Sequence, residues 1–113
     1  MIKYIIISII AFVFANILVW YQLNSQLVWE WAKGSKSMWI MSLFGIPISL
    51  LFWLATKWGY IGFGSLWAVR FLGFASGMIT FPIMTYVLLG EPMTAKVIAT
   101  ILLAFVITII QVL

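Results

Sequence analysis

The stretch Tyr4–Leu18, YIIISIIAFVFANIL, decides the fold: it is apolar from end to end apart from Ser8 and Asn16. With its flanks it covers Lys3–Asn24, enough for a helix to cross a hydrocarbon core, which takes about 20 apolar residues. Three stretches of the same kind follow, at Met38–Thr56, Ser65–Leu89 and Lys96–Val112. A soluble domain carries roughly a quarter charged residues, whereas 7% of these 113 residues are charged and 66% are hydrophobic. The sequence therefore predicts an all-α integral membrane bundle of four transmembrane helices. It forms a single domain over residues 1–113 with almost nothing outside the bilayer.

The same composition narrows the function. The chain has no Cys, no His and no Asp, so disulfides, thiolate or imidazole metal sites and Ser-His or Cys-His nucleophile pairs cannot be built from it. Its only carboxylates, Glu30 and Glu91, fall in or beside connections. Neither catalysis, a metal nor a cofactor is expected. The net charge of +4 comes from six scattered Lys and Arg, which suit anionic headgroups beside membrane helices and do not make a nucleic-acid surface. The first apolar stretch runs too long for a removable leader and lacks a small-x-small cleavage site, so it is expected to stay as the first helix.

Within that frame the polar residues carry the information. Gln22, Gln26 and Glu30 are spaced i, i+4, i+8 after the first apolar run; they predict an amphipathic extension toward Trp31, with Asn16 on nearly the same face. Trp29, Trp31 and Trp39 flank a turn at Ala32–Ser37 that carries Lys33 and Lys36, as in an interfacial aromatic belt. In the second span Pro47 lacks an N–H and predicts an opened ladder near Phe44–Gly45. Ser42, Gly45, Ser49 and Thr56 share one side of it, a groove for helix packing or for a substrate. Lys57–Gly64 reads as a short interfacial connection.

The third span holds Arg70 about a turn and a half inside its start, then Gly73 and Gly77 as a G-x-x-x-G, then Pro82. A cation at that depth either snorkels to the headgroups or points inward and holds a phosphate or carboxylate in its planar fork. The G-x-x-x-G marks close helix packing. After it, Gly90-Glu91-Pro92-Met93-Thr94 stops one helix and starts the next. The last span has only Thr100, Thr108 and Gln111 as polar breaks, which suits a helix that faces lipid or forms a dimer.

The run Phe81–Thr94, FPIMTYVLLGEPMT, followed by one more apolar helix, resembles the end of a repeat in the drug/metabolite transporter superfamily. There the penultimate helix closes in a Gly-Glu-x-x-Thr-like turn. With four spans the chain also resembles the small members of that superfamily, the small multidrug resistance proteins and related four-helix families. The resemblance implies a dimer and transport of a small molecule. It departs in one respect: those proteins place a titratable glutamate in the middle of the first helix, where this chain has Asn16, which argues against proton-coupled export of cations. The Gly positions of the family's last helix also fall at Thr100 and Ile107, so the dimer contact is expected to differ.

Four spans put both termini on one side, with Lys3, Lys57 and Arg70 there and Lys33, Lys36 and Lys96 opposite. That tie leaves orientation poorly determined and is compatible with an antiparallel homodimer; the termini are expected to face the cytoplasm. The sequence thus predicts a multi-pass protein of the cell membrane that binds or moves an amphipathic, lipid-linked or anionic small molecule. Asn16, Trp20, Arg70 and Tyr86 are the expected lining, because polar and aromatic groups at membrane depth are costly unless they face a cavity or a protein partner. The first three spans are expected to pack around a seam containing Asn16, with the fourth to one side. A different class of function, an accessory subunit of a larger membrane complex, is the alternative. Membrane lipids are partners in either case; nucleic acid is not.

Overall fold

The structure, a computed structural model, describes residues 2–113, and no strand occurs among them. In chain order the elements are α1 (Ile2–Val28), a 3-10 turn (Glu30–Ala32), α2 (Ser35–Leu43), α3 (Gly45–Phe63), α4 (Leu66–Met84) continued by a π-helical turn (Thr85–Leu89), and α5 (Ala95–Val112). The helices α2 and α3 form one span over Ser35–Phe63, so four helices are long and apolar enough to cross a membrane. The chain is a multi-pass α-helical membrane protein.

The break between α2 and α3 falls at Phe44, three residues before Pro47. Proline leaves the Leu43 carbonyl without its i+4 donor. The ladder is bridged by tighter bonding of the Phe44 N–H to Met41 at 3.1 Å and resumes with Ile48 N–H to Phe44 at 3.3 Å. Gly64 and Gly90 end their helices with φ of 71° and 74°, values that only a residue without Cβ adopts freely. Thr94 caps α5, its hydroxyl oxygen accepting from Val97 N–H at 3.4 Å.

One sequence reading is corrected. Lys57–Phe63 is not a connection but the last turns of α3. Trp58 and Phe63 there pack against the buried cluster of Ala11, Phe12, Ala55, Val69 and Leu72. The glycines serve contact. A Cβ on Gly59 would stand 2.7 Å from the Ser8 hydroxyl, and one on Gly62 would stand 2.7 Å from Ile5 Cγ1 and 3.0 Å from the Ile5 backbone nitrogen. Ser8 donates across the same seam to the Ala55 carbonyl at 2.7 Å.

The helix α1 therefore lies against both α3 and α4, whereas α5 packs on α4. Ala104 is the one buried residue of α5. The molecule measures 44 × 35 × 18 Å, so it is a slab less than two helix diameters thick, taking about 10–12 Å per helix. The small-residue stripe of the second span divides: Ser42 and Ser49 are exposed and, with Gly45, line an outward groove of about 650 Å³, whereas Thr56 faces the cavity between α1, α3 and α4.

Candidate ligand cleft

Where α1, α3 and α4 separate, they leave a half-open cleft of about 830 Å³. Its walls are aromatic and aliphatic: Phe12 from α1, Phe52 from α3, and Trp67, Val69 and Phe74 from α4. Each element supplies these at helical spacing, because residues three, four or seven apart share a face. Phe12 and Asn16 are one such pair, Phe52 and Thr56 a second, and Trp67, Arg70 and Phe74 a set of three. The Phe12 and Phe52 rings meet at 6.1 Å between centroids, and Trp67 stacks on Phe71 at the same spacing of 6.1 Å.

Three polar side chains line the cleft: Asn16, Thr56 and Arg70. The Thr56 hydroxyl donates to the Phe52 carbonyl at 2.8 Å within its own helix. Asn16 donates from Nδ2 to the Phe12 carbonyl at 2.9 Å and to the Ser76 hydroxyl at 3.0 Å, so it joins α1 to α4. Arg70 is exposed, and its guanidinium lies over the Phe74 ring, 4.6 Å from the centroid. Such stacking holds the planar group at the rim and leaves its N–H edges free to donate. No carboxylate reaches it: the ion pair among the described residues joins Lys33 and Glu30 at 3.1 Å, beyond the far end of α1. Both Glu30 and Glu91 lie at that far end, whereas Lys3, Lys57 and Arg70 belong to the end where α3 gives way to α4.

The four residues chosen from the sequence do not form one site. Asn16 and Arg70 line the cleft. Trp20 is buried, 1% exposed, and donates from its indole nitrogen to the Thr85 hydroxyl at 3.1 Å; it clamps α1 to the π-helical turn. Tyr86 is exposed on that turn, sixteen residues or about 24 Å of helix beyond Arg70. The reason is rotational: consecutive residues such as Thr85 and Tyr86 point roughly 100° apart, so when Thr85 faces α1 its neighbour faces out. The aromatic walls were missed, although the i, i+4 pairing of Phe12 with Asn16 and of Arg70 with Phe74 was there to be read.

The G-x-x-x-G faces α1 as the packing reading expects. A Cβ on Gly73 would lie 3.1 Å from Phe12, and one on Gly77 would lie 3.1 Å from Asn16 Oδ1. At the opposite end, Gln22, Ser25, Gln26, Lys33 and Ser42, together with Leu23, Met38 and Met41, line a mixed cup of about 420 Å³. Gln22 is held there by donating to the Met41 carbonyl at 3.0 Å. Among the described residues no group of His, Cys, Asp and Glu is placed to hold a metal ion. Comparison with protein-family models, with curated proteins and with solved structures gave no match.

Proposed function

We propose that this chain is a small drug/metabolite-transporter-like protein of the cell membrane that binds or moves an amphipathic, lipid-linked or anionic small molecule. The observation that carries the reading is the cleft with Arg70 at its rim. Its volume of about 830 Å³ falls among those of drug-sized sites, roughly 300–1,000 Å³. Its walls suit an apolar body, and its one cation, without a carboxylate partner, gives the ligand a negative sign. The resemblance of Phe81–Thr94 to a transporter repeat supports the same assignment. A slab 18 Å thick does not enclose a path by itself, so the transporting unit is a dimer, with the shallow groove at Gly45 and the bare face of α5 as the surfaces free to form it.

Replacing Arg70 tests this directly. Arg70→Gln should abolish most retention of an anionic amphiphile such as stearate by the purified protein, read by native mass measurement. Arg70→Lys should weaken it partly, because charge remains while the planar fork is lost. Equal retention by all three proteins would reduce Arg70 to an interfacial anchor and end the proposal. The same measurement weighs the second reading, an accessory subunit, for which the uncovered length of α5 speaks. A homodimer supports the transporter; fixed stoichiometric partners support the subunit.

A further inference from the structure

Asn16 lines the cleft, and its hydrogen bonds fix which way its amide points. The Ser76 hydroxyl donates to the Gly73 carbonyl at 2.8 Å, so toward Asn16 its oxygen can only accept. The group 3.0 Å from it is therefore the Asn16 nitrogen, whose other hydrogen goes to the Phe12 carbonyl at 2.9 Å. A flipped amide would set its oxygen against the Phe12 carbonyl, which can only accept. Asn16 Oδ1 is thus an acceptor at membrane depth, and no described residue donates to it. It is also not sealed in: among the described residues no buried side-chain oxygen or nitrogen lacks a partner, and Asn16 is only half-buried.

Asn16 lines two cavities. The main cleft shares Asn16, Gly73 and Phe74 with a smaller one of about 380 Å³, which continues along α4 past Gly77 to Phe81 and Thr100 of α5. Gly77 lets Oδ1 lie close to α4, since a Cβ there would stand 3.1 Å from it. Along α4, Arg70 precedes Ser76 and Gly77 by six and seven residues, a backbone rise of about 9–10.5 Å, and its guanidinium lies over Phe74 between them. An anion at Arg70 and a donor at Oδ1 would thus belong to one elongated molecule.

We infer that the cleft selects, among anionic amphiphiles, those whose chain carries a hydroxyl or amide N–H several carbons away from the anion, with the anion at Arg70 and the donor on Asn16 Oδ1. Such a group has no partner in lipid at that depth, so an acceptor held there discriminates for it. The inference rests on the proposed reading of the cleft as an anion-amphiphile site and adds a second recognition point to it.

Three probes separate the two ideas: stearate, 2-hydroxystearate and 10-hydroxystearate, each titrated into the full chain in a neutral detergent. The expected result is that 10-hydroxystearate binds about five- to tenfold tighter than stearate, the worth of one net hydrogen bond, and that 2-hydroxystearate gains nothing. Acetate, a free anion without a chain, should displace none of them. Asn16→Leu should erase the preference, so that whatever binding remains is alike for the three fatty acids. Should that variant fail to fold, the three-ligand comparison on the unaltered chain decides alone. Equal binding of all three fatty acids, weakened together by Arg70→Gln, would overturn the donor site and leave the anion cleft standing. Persistence of the preference in Asn16→Leu would overturn it too. Binding of none of the three would overturn both.

Discussion

The seam between α1 and α3 and the contact between α4 and α5 join helices of similar apolarity, yet they are built on different terms. The first is made of Ser8, Ala11, Ala55, Gly59 and Gly62, residues so small that backbones meet and a serine hydroxyl reaches a carbonyl on the next helix at 2.7 Å. The second buries Ala104 and leaves Leu102, Leu103, Ile109 and Ile110 exposed. In water the more apolar helix would be the more deeply buried. Lipid removes that drive, because leaving hydrocarbon for protein gains an aliphatic side chain little, and close approach of small residues decides which helices associate. Arrangement around α1, and not apolarity, is what organises this molecule.

The harshest test removes the clamp that ties α1 to the far end of α4. Trp20→Ala deletes a side chain 1% exposed, together with its bond to Thr85, and should cost about 3–5 kcal/mol. Reversible unfolding in mixed micelles would measure it. A loss no larger than that of an outward leucine would mean that α1 is not the organising helix. Gly62→Ala follows: its Cβ meets the Ile5 backbone, which has no rotamer to yield, and the expected loss is about 1–3 kcal/mol. An unchanged stability would show that the seam is looser than its geometry. The smallest effect belongs to Leu103→Ala on the outer face of α5, 64% exposed in the protomer, at no more than about 0.5 kcal/mol for a dilute sample. A larger loss that appears only at high protein-to-detergent ratio would turn that face into a dimer contact and sharpen the comparison.

The elements legible in the sequence were those with a local cause. Pro47 removes a donor and opens the helix near Phe44; Gly90 takes a positive φ and stops one; Thr94 caps the next. Each effect acts within a turn of its residue. Lys57–Phe63 was misread because its glycines signal a loop when taken alone, and only the approach of Ile5 and Ser8 from α1 shows them to be a contact surface. The site divides in the same way. Asn16 and Arg70 were found because polarity inside a span is conspicuous. Trp20 and Tyr86 were misplaced because nothing local tells which side of a helix meets a neighbour.

The 18 residues of α5 rise about 27 Å, just short of a hydrocarbon core about 30 Å thick. The 27 residues of α1 rise about 40 Å. The short helix therefore acts as a gauge that fixes the height of the bilayer on the molecule, and the surplus of α1 is taken up by tilt or by standing clear of the hydrocarbon at its Gln22–Val28 end. That end bears the cup lined by Gln22, Gln26 and Lys33 beside Leu23, Met38 and Met41. A thicker membrane would load the shortest helix first. Bilayer thickness thus acts on this protein through α5 and the α4 face it packs on.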